Sequence, residues 1–242
     1  MPLVTDLKIL YRLALAPIRG ASHSERLESF YRDQADHYDL SRADLLHGRR
    51  ELVELLPTPD AGVWVEMGGG TGENLEHLGE DRARLSKVYL VDLSPSLLSI
   101  ARRRKDRLGW SNVELVEADV TTFAPPVGPV DVVTFSYSLT MIPDWFAAVD
   151  RAWQMLRPGG VIGVVDFHVS RKHPAPGRAR HSWMTRTFWP TWFACDNVFL
   201  SPDHVEYLYH RFEPLHFSEH MGRMKHARAL RMPFYRFVGC KR

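Results

Sequence analysis

A glycine-dense turn, Glu66-Met67-Gly68-Gly69-Gly70-Thr71-Gly72, constrains this chain more than any other stretch. It follows Val63–Met67, an apolar run of strand length, and precedes a helical pattern that starts at residue 73. Glycine loses more conformational freedom on folding than any other residue. Four glycines within five positions are therefore a heavy entropic load, tolerated where backbone must turn sharply or approach a ligand closely. A helix start behind such a turn offers unpaired N–H groups to a negative group.

From Val63 onward, short apolar runs alternate with helical stretches. Val63–Met67, Val88–Val91, Val113–Val116, Val130–Phe135 and Val161–Val165 are strand-length and rich in β-branched residues. Helices are expected over 73–80, 95–107 and 144–156, with Ser94 and Pro95 as the start of the second. Alternation of this kind implies parallel pairing with right-handed crossovers, hence an α/β layered fold. Asp131, at the start of the fourth run, is expected to be structural. Residues 168–200 carry Trp183, Phe188, Trp189, Trp192 and Phe193 without a clear period and are read as an insertion. Ser201 and Pro202 then predict a helix to about Tyr209, with Ser201 as cap and Pro202 in its first turn. Phe212–Phe217 and Phe234–Val238 read as two closing strands. Upstream, residues 22–56 look helical, with Ser22 or Ser24 as a cap and Pro57-Thr58-Pro59 as the stop. The expected organisation is an N-terminal helical part over residues 1–60, covering the ligand site, and a core over 61–242.

Charge and cysteine content narrow the function classes. Lys plus Arg is 31 and Asp plus Glu is 29, a net charge of +2, so no global grip on nucleic acid is implied. Cys195 and Cys240 form no CxxC pattern, which points to a reducing, cytoplasmic setting and to no metal site. No apolar run is long enough to span a bilayer. Leu3, Leu7, Leu10, Tyr11, Ala14 and Ile18 share a helical face, and Lys8 and Arg12 interrupt the stretch too much for a signal-peptide core. That helix is expected to pack on the domain; a helix lying at a membrane surface is the alternative.

Two ligands compete for the glycine turn. A dinucleotide fingerprint, G-x-G-x-x-G, would need a glycine at position 73, where Glu73 stands. The third glycine allows close helix–strand packing, and a carboxylate there would repel a pyrophosphate. The pattern present, E-x-G-x-G-x-G, suits a cationic ligand with an amino acid portion and a ribose. Asp92, ending the second strand, is placed to accept from both ribose hydroxyls. Ser136 and Tyr137 follow the fourth strand, at the carboxyl end where open α/β sheets bind ligands.

With these residues in view, the chain resembles the class I S-adenosylmethionine-dependent methyltransferases. The glycine turn matches that family's first motif, and Val91-Asp92-Leu93-Ser94 its ribose-binding acid. Glu117-Ala118-Asp119-Val120 resembles the motif whose acid meets the adenine amino group, and Leu156-Arg157-Pro158-Gly159-Gly160 the turn before the fifth strand. The resemblance implies a seven-stranded, three-layer sheet of order 3-2-1-4-5-7-6 with the seventh strand antiparallel. It implies S-adenosyl-L-methionine as cofactor and S-adenosyl-L-homocysteine as product. The donor would be held by Glu66, Gly68, Gly70, Thr71, Gly72, Asn74, Asp92, Leu93, Asp119, Val120 and Ser136.

The acceptor is read from the rest of the chain. From Phe167 through Cys195 there is no Asp or Glu, yet Arg171, Lys172, Arg178, Arg180 and Arg186 occur among large aromatics. From His220 to Arg242 acids are again absent. Such interleaving suits an anionic lipid surface or head group; RNA is the rival, and a plain solvated basic face the bland reading. Phe30-Tyr31-x-x-Gln34-Ala35-x-x-Tyr38-Asp39 with Gly48-Arg49-Arg50, Trp192–Val198 and Arg231–Gly239 are similar to the methyltransferase part of betaine-lipid synthases. That resemblance implies trimethylation of the amino group of diacylglyceryl-homoserine, with Tyr31, Tyr38 and Arg50 bordering the methionine end of the donor. Tyr137, Asp144 and His168, with Asp166, are catalytic candidates by position alone. The expected function is N-methylation of a lipid head group by a cytoplasmic protein that touches an anionic membrane, without nucleic acid. Phosphatidylethanolamine or a small soluble amine is the alternative acceptor. A non-catalytic module holding RNA or a partner is the alternative of another class.

Overall fold

The structure is a computed structural model and describes residues 25, 28, 29, 31, 45–195, 197–224 and 230–242. The expected N-terminal helix over Leu3–Ile18, the caps at Ser22 and Ser24, and Tyr38 lie outside the described residues. Residues 25, 28, 29 and 31 are helical. They are followed by α1 (Arg49–Glu54), β1 (Val63–Met67), α2 (Glu73–Glu76), β2 (Lys87–Asp92), α3 (Pro95–Arg107), β3 (Val113–Glu117) and β4 (Val130–Ser136). The second half holds α4 (Trp145–Met155), β5 (Leu156–Phe167), α5 (Trp183–Ala194), α6 (His204–Arg211), β6 (Glu213–Arg223) and β7 (Arg231–Cys240). Short 3₁₀ turns lie at Gly79–Arg84 and Leu139–Met141.

The strands form one sheet in the order β3-β2-β1-β4-β5-β7-β6. β1 pairs parallel with β2 and β4, and β7 runs antiparallel to both β5 and β6. All five residues of β1 are buried, as expected of a central parallel strand covered on both faces. Alternation along β1 sends Trp64 to one core, and Val63, Val65 and Met67 to the other. Leu52 and Val53 of α1, Leu75 of α2, Leu98 of α3 and Phe193 of α5 cover the Trp64 face. Ala148, Val149 and Ala152 of α4 and Leu208 of α6 cover the other. This is the layered α/β fold expected from the alternation of runs, with the seven-stranded, three-layer order that the family resemblance implies.

Local chemistry sets the element ends. Ser94 accepts from Leu97 N–H at 3.3 Å with Pro95 in the first turn of α3, as its sequence signature requires. Asp131 accepts from Val63 N–H at 2.8 Å and from Arg157 at 2.6 Å, so its role at the sheet base is structural.

Three expectations are corrected. The helix expected over 73–80 stops after one turn and continues as a 3₁₀ turn. The helix after residue 200 begins at His204, because the Ser201 hydroxyl accepts from Asp203 N–H and leaves Pro202 outside it. The aperiodic aromatic stretch contains α5: its aromatics fall on both faces, Trp189 and Phe193 inward, Trp183 and Trp192 outward. A helix apolar all round shows no hydrophobic period.

α1 sits on β5 through Leu52, which is fully buried. Truncation of a buried leucine leaves a cavity as well as losing transfer free energy. Leu52→Ala is expected to lower the unfolding free energy by about 3 kcal/mol, read by urea denaturation.

Candidate functional site

A cavity of about 350 Å³ opens at the carboxyl ends of β1, β2 and β4. The chain turns from β1 toward β2 on one side and places β4 on the other, which makes this the topological switch point of the sheet.

The glycine turn is fastened to β2. Gly68 and Gly69 N–H both donate to the Val91 carbonyl, at 2.8 and 3.0 Å. Gly70 N–H donates to Asp92 Oδ2 at 2.8 Å, and Ser94 N–H donates to Oδ1 at 2.8 Å. Gly68 has φ +67°, and a Cβ there would lie 2.6 Å from the Ser138 Cβ. That position thus requires glycine on two counts. Gly72 also has a positive φ, but a Cβ on it would meet Leu90 in the core, and it does not line the cavity. Its expected contact with a ligand is corrected to a packing role.

Each carboxylate oxygen of Asp92 accepts one backbone N–H and keeps capacity for another donor, the arrangement two vicinal hydroxyls need. Burial pushes its pKa up, against the backbone hydrogen bonds that favour the charge. Asp119, on the loop after β3, accepts from Thr121 N–H and hydroxyl through Oδ1. Its Oδ2 accepts from no described residue, and Asp119, Val120 and Thr121 line the cavity. Leu93 and Leu97 lie alongside them.

The opposite end of the cavity is charged and buried. Glu66 is fully buried and accepts from Asn74 Nδ2 at 3.1 Å through both oxygens and from the Thr134 hydroxyl. Trp64 Nε1 donates to Thr134 Oγ1 at 2.9 Å, which turns that hydroxyl proton toward Glu66. Burial raises the Glu66 pKa, and these hydrogen bonds oppose the shift. Arg49 Nη1 donates to Glu73 Oε2 at 2.7 Å, and the guanidinium lies 5.9 Å from the centre of the Tyr137 ring. Arg50, expected here, is exposed and off the cavity; one step along a helix turns the side chain by about 100°, so Arg49 takes the place. Tyr31 lines the cavity; the expected contribution of Tyr38 lies outside the described residues.

Of the catalytic candidates, Tyr137 and Asp144 reach the cavity and His168 does not. Tyr137 holds φ +55°, unusual for a side-chain-bearing residue, and its hydroxyl donates to the His47 carbonyl at 2.6 Å. Burial pushes its pKa well above the usual phenol value, so Tyr137 keeps its proton and serves as wall. Asp144 caps α4 by accepting from Ala147 N–H at 3.3 Å and stands exposed at the rim. His168 is buried behind β5 with Nε2 3.1 Å from Glu219 Oε1, which removes it from the chemistry. Asp166 is also off the cavity; it accepts from the Thr140 hydroxyl and backbone, and burial pushes its pKa up to about 7. Sequence reasoning missed Arg49, Ser138, Met141, Ile142 and Pro143 on the lining. Pro143 before the capping Asp144 was the readable sign that this turn ends at a helix beside the site.

Three buried polar atoms on this lining have no partner among the described residues: Asn74 Oδ1, Ser136 Oγ and Arg49 Nε. A buried polar group left unpaired costs about 1–3 kcal/mol, so such atoms mark where a ligand is expected. Arg49 needs an acceptor such as a carboxylate, and Asn74 Oδ1 needs a donor such as an ammonium. With the ribose acid Asp92 and the amino-group acceptor Asp119, the set fits S-adenosylmethionine from its amino acid end to its base.

The comparisons with known proteins agree. The methyltransferase domain family matches residues 37–220. A demethylmenaquinone methyltransferase of Thermus thermophilus is 30% identical over 138 residues, covering 55% of this chain and 62% of that protein. A ubiquinone/menaquinone biosynthesis C-methyltransferase of Pseudomonas syringae pv. syringae is 29% identical over 151 residues, covering 60% and 59%. The chain thus spans about three fifths of the length of these relatives. Among solved structures, a Haemonchus contortus phosphoethanolamine N-methyltransferase bound to phosphomonomethylethanolamine and S-adenosylhomocysteine has a TM-score of 0.64 at 13% identity. The match covers 92% of this chain and 60% of that one. The Burkholderia thailandensis 1,6-didemethyltoxoflavin-N1-methyltransferase has a TM-score of 0.59 at 19% identity, covering 93% and 92%.

Asp92→Ala removes the described carboxylate positioned for a ribose and is expected to weaken S-adenosylhomocysteine binding roughly a hundredfold by calorimetry. Arg49→Ala is expected to weaken it about tenfold, and Arg50→Ala to leave it unchanged. A larger loss with Arg50→Ala than with Arg49→Ala would reverse their assignment, and equal losses would remove it.

Proposed function

This chain belongs to the methyltransferase domain family and has the class I S-adenosylmethionine-dependent fold, and from that premise we propose that it transfers a methyl group to an amine on a lipid head group. The observation that carries the reading is the charge of the cavity. Its described lining holds five carboxylates, Glu66, Glu73, Asp92, Asp119 and Asp144, against the single guanidinium of Arg49. Such a lining attracts a sulfonium donor and a protonated amine and repels an anionic acceptor.

When bound, S-adenosylmethionine supplies an electrophilic methyl group on a positively charged sulfur. The chain's work is placement and exclusion of water. Asp92 fixes the sugar, Asp119 orients the base, and Asn74 and Arg49 hold the amino acid end. Tyr137, Met141, Ile142 and Pro143 form the wall that an acceptor meets. An acceptor held in line at near-attack distance reacts without a covalent enzyme intermediate. For an amine, the attacking form is neutral, and burial against this wall favours that form. Asp144, at the rim, is the lining carboxylate positioned to take the proton that the ammonium sheds. The likeness of Tyr31, Gly48-Arg49-Arg50 and Trp192–Val198 to betaine-lipid synthases supports repeated methylation of a homoserine-type head group.

A second reading has its own support. The curated relatives are named as methyltransferases of demethylmenaquinone and of ubiquinone/menaquinone biosynthesis, which favours C-methylation of a quinone precursor. The described lining contains no histidine or lysine, and its carboxylates would have to deprotonate a phenol-like acceptor. A carboxylate would face the same task with an ammonium, so it is the negative charge of the lining, which favours a cation over a phenolate, that places the amine reading first.

Incubation with methyl-labelled donor and a total lipid extract separates the readings. Label is expected in an amine-bearing polar lipid, with two or three methyl groups per molecule by mass spectrometry. Label confined to the quinone fraction would establish the second reading, and label only in added soluble amines would remove the lipid. No transfer to any acceptor would leave a binding module.

A further inference from the structure

The outward face of α5 is unlike a solvated helix. Trp183, Met184, Thr187, Phe188, Thr191, Trp192 and Cys195 form it, and it carries no charge. Trp183 and Met184 are 71% exposed, and Phe188 and Trp192 are 40% exposed. Phe199, just beyond the helix, is 60% exposed. Isolated exposed apolar residues are ordinary, but a continuous face of this size on one helix marks an interaction surface.

Charge around the face indicates what it meets. The stretch from Phe167 through Cys195 lacks any acid. Arg171 is bound to Asp203, and Arg178 is held between the rings of Tyr209 and Phe217, 4.0 Å from each centre. Lys172 and Arg180 are exposed on the loop leading into the helix. Tryptophan and phenylalanine flanked by lysine and arginine, in a stretch that meets its first acid only at Asp196, complement the interface of an anionic bilayer.

The inward face ties this surface to the cavity. Phe193 stacks on Phe167 at 4.4 Å, and Phe167 packs on Tyr137 at 4.6 Å, which lines the cavity. Phe199 N–H donates to the Thr140 carbonyl at 2.8 Å, holding the helix exit against the turn that supplies Met141. Two ring layers therefore separate the outward face from the acceptor wall.

We propose that α5 docks this face into the head-group region of a bilayer containing anionic phospholipid, setting the acceptor wall beside the lipids it draws on. The inference deepens the lipid-acceptor reading and rests on it. A single helix face seated among head groups docks reversibly and shallowly.

Co-sedimentation of the full chain with phosphatidylcholine vesicles, with and without phosphatidylglycerol, tests it without turnover. The chain is expected to partition onto both, more strongly when phosphatidylglycerol is present, with a blue shift of tryptophan fluorescence. Replacing Trp183, Phe188 and Trp192 together by serine is expected to lower partitioning roughly a hundredfold while S-adenosylhomocysteine binding stays unchanged. Lys172→Ala with Arg180→Ala is expected to lower it roughly tenfold on phosphatidylglycerol vesicles alone. Absence of vesicle binding, or equal binding by the serine variant, overturns the proposal. A concentration-dependent dimer that the serine variant abolishes, without vesicle binding, assigns the face to a second copy and overturns it as well. Lipid methylation in detergent by a chain that ignores vesicles removes the docking and keeps the acceptor. Vesicle binding without methylation of any lipid removes the acceptor and keeps the docking.

Discussion

The site depends on the fastening of the glycine turn to the end of β2. Three successive N–H groups, of Gly68, Gly69 and Gly70, donate to the Val91 carbonyl and the Asp92 carboxylate. Without them the turn would have four glycines and no preferred shape. With them, the glycine loop and the acid proposed to hold the ribose become a single unit. The Asp92 carboxylate orders backbone with one lone pair per oxygen and keeps the others for a ligand. Burial raises its pKa, and the backbone dipoles aimed at it oppose that shift.

Most of this was legible in the sequence because it follows from local rules. Strand-length β-branched runs gave four parallel strands at nearly their final bounds and the centre of the fifth, which the structure extends to Leu156–Phe167 through the stretch expected as its preceding turn; the Ser94-Pro95 pair marked the start of α3 to the residue. Glu66, Asp92 and Asp119 were readable since each sits at or beside a strand end. What escaped depends on rotation or on long-range packing. The choice between Arg49 and Arg50 is a rotation about a six-residue helix whose docking is decided by Leu52 and Val53. His168 looked available from its place after β5, yet Glu219, on a strand that arrives much later in the chain, draws it away from the cavity. α5 escaped because aromatic residues on both faces erase the period by which helices are recognised.

Burial and charge divide the cavity into two chemical halves. Around Glu66 the groups are deep, and the unpaired atoms of Asn74, Ser136 and Arg49 make that end select by pairing. Around Met141, Ile142 and Pro143 the wall is apolar and part-exposed, so that end selects by shape and desolvation. Tyr137 stands at the boundary with its hydroxyl anchored to the loop before α1. Arg49 lies beside the ring, so the charged half and the apolar half of the cavity meet at Tyr137.

The placement of β7 bears on how such a chain is made. In chain order it is the last of the seven strands, yet it lies between β5 and β6. Until Arg231–Cys240 emerge, β5 shows a bare hydrogen-bonding edge and β6 has no neighbour to pair with. A nascent chain at that stage carries two sticky borders beside the aromatic face of α5, a combination that invites aggregation. A break or premature stop before residue 231 would therefore do more than shorten the protein: it would leave the sheet split at its centre of closure.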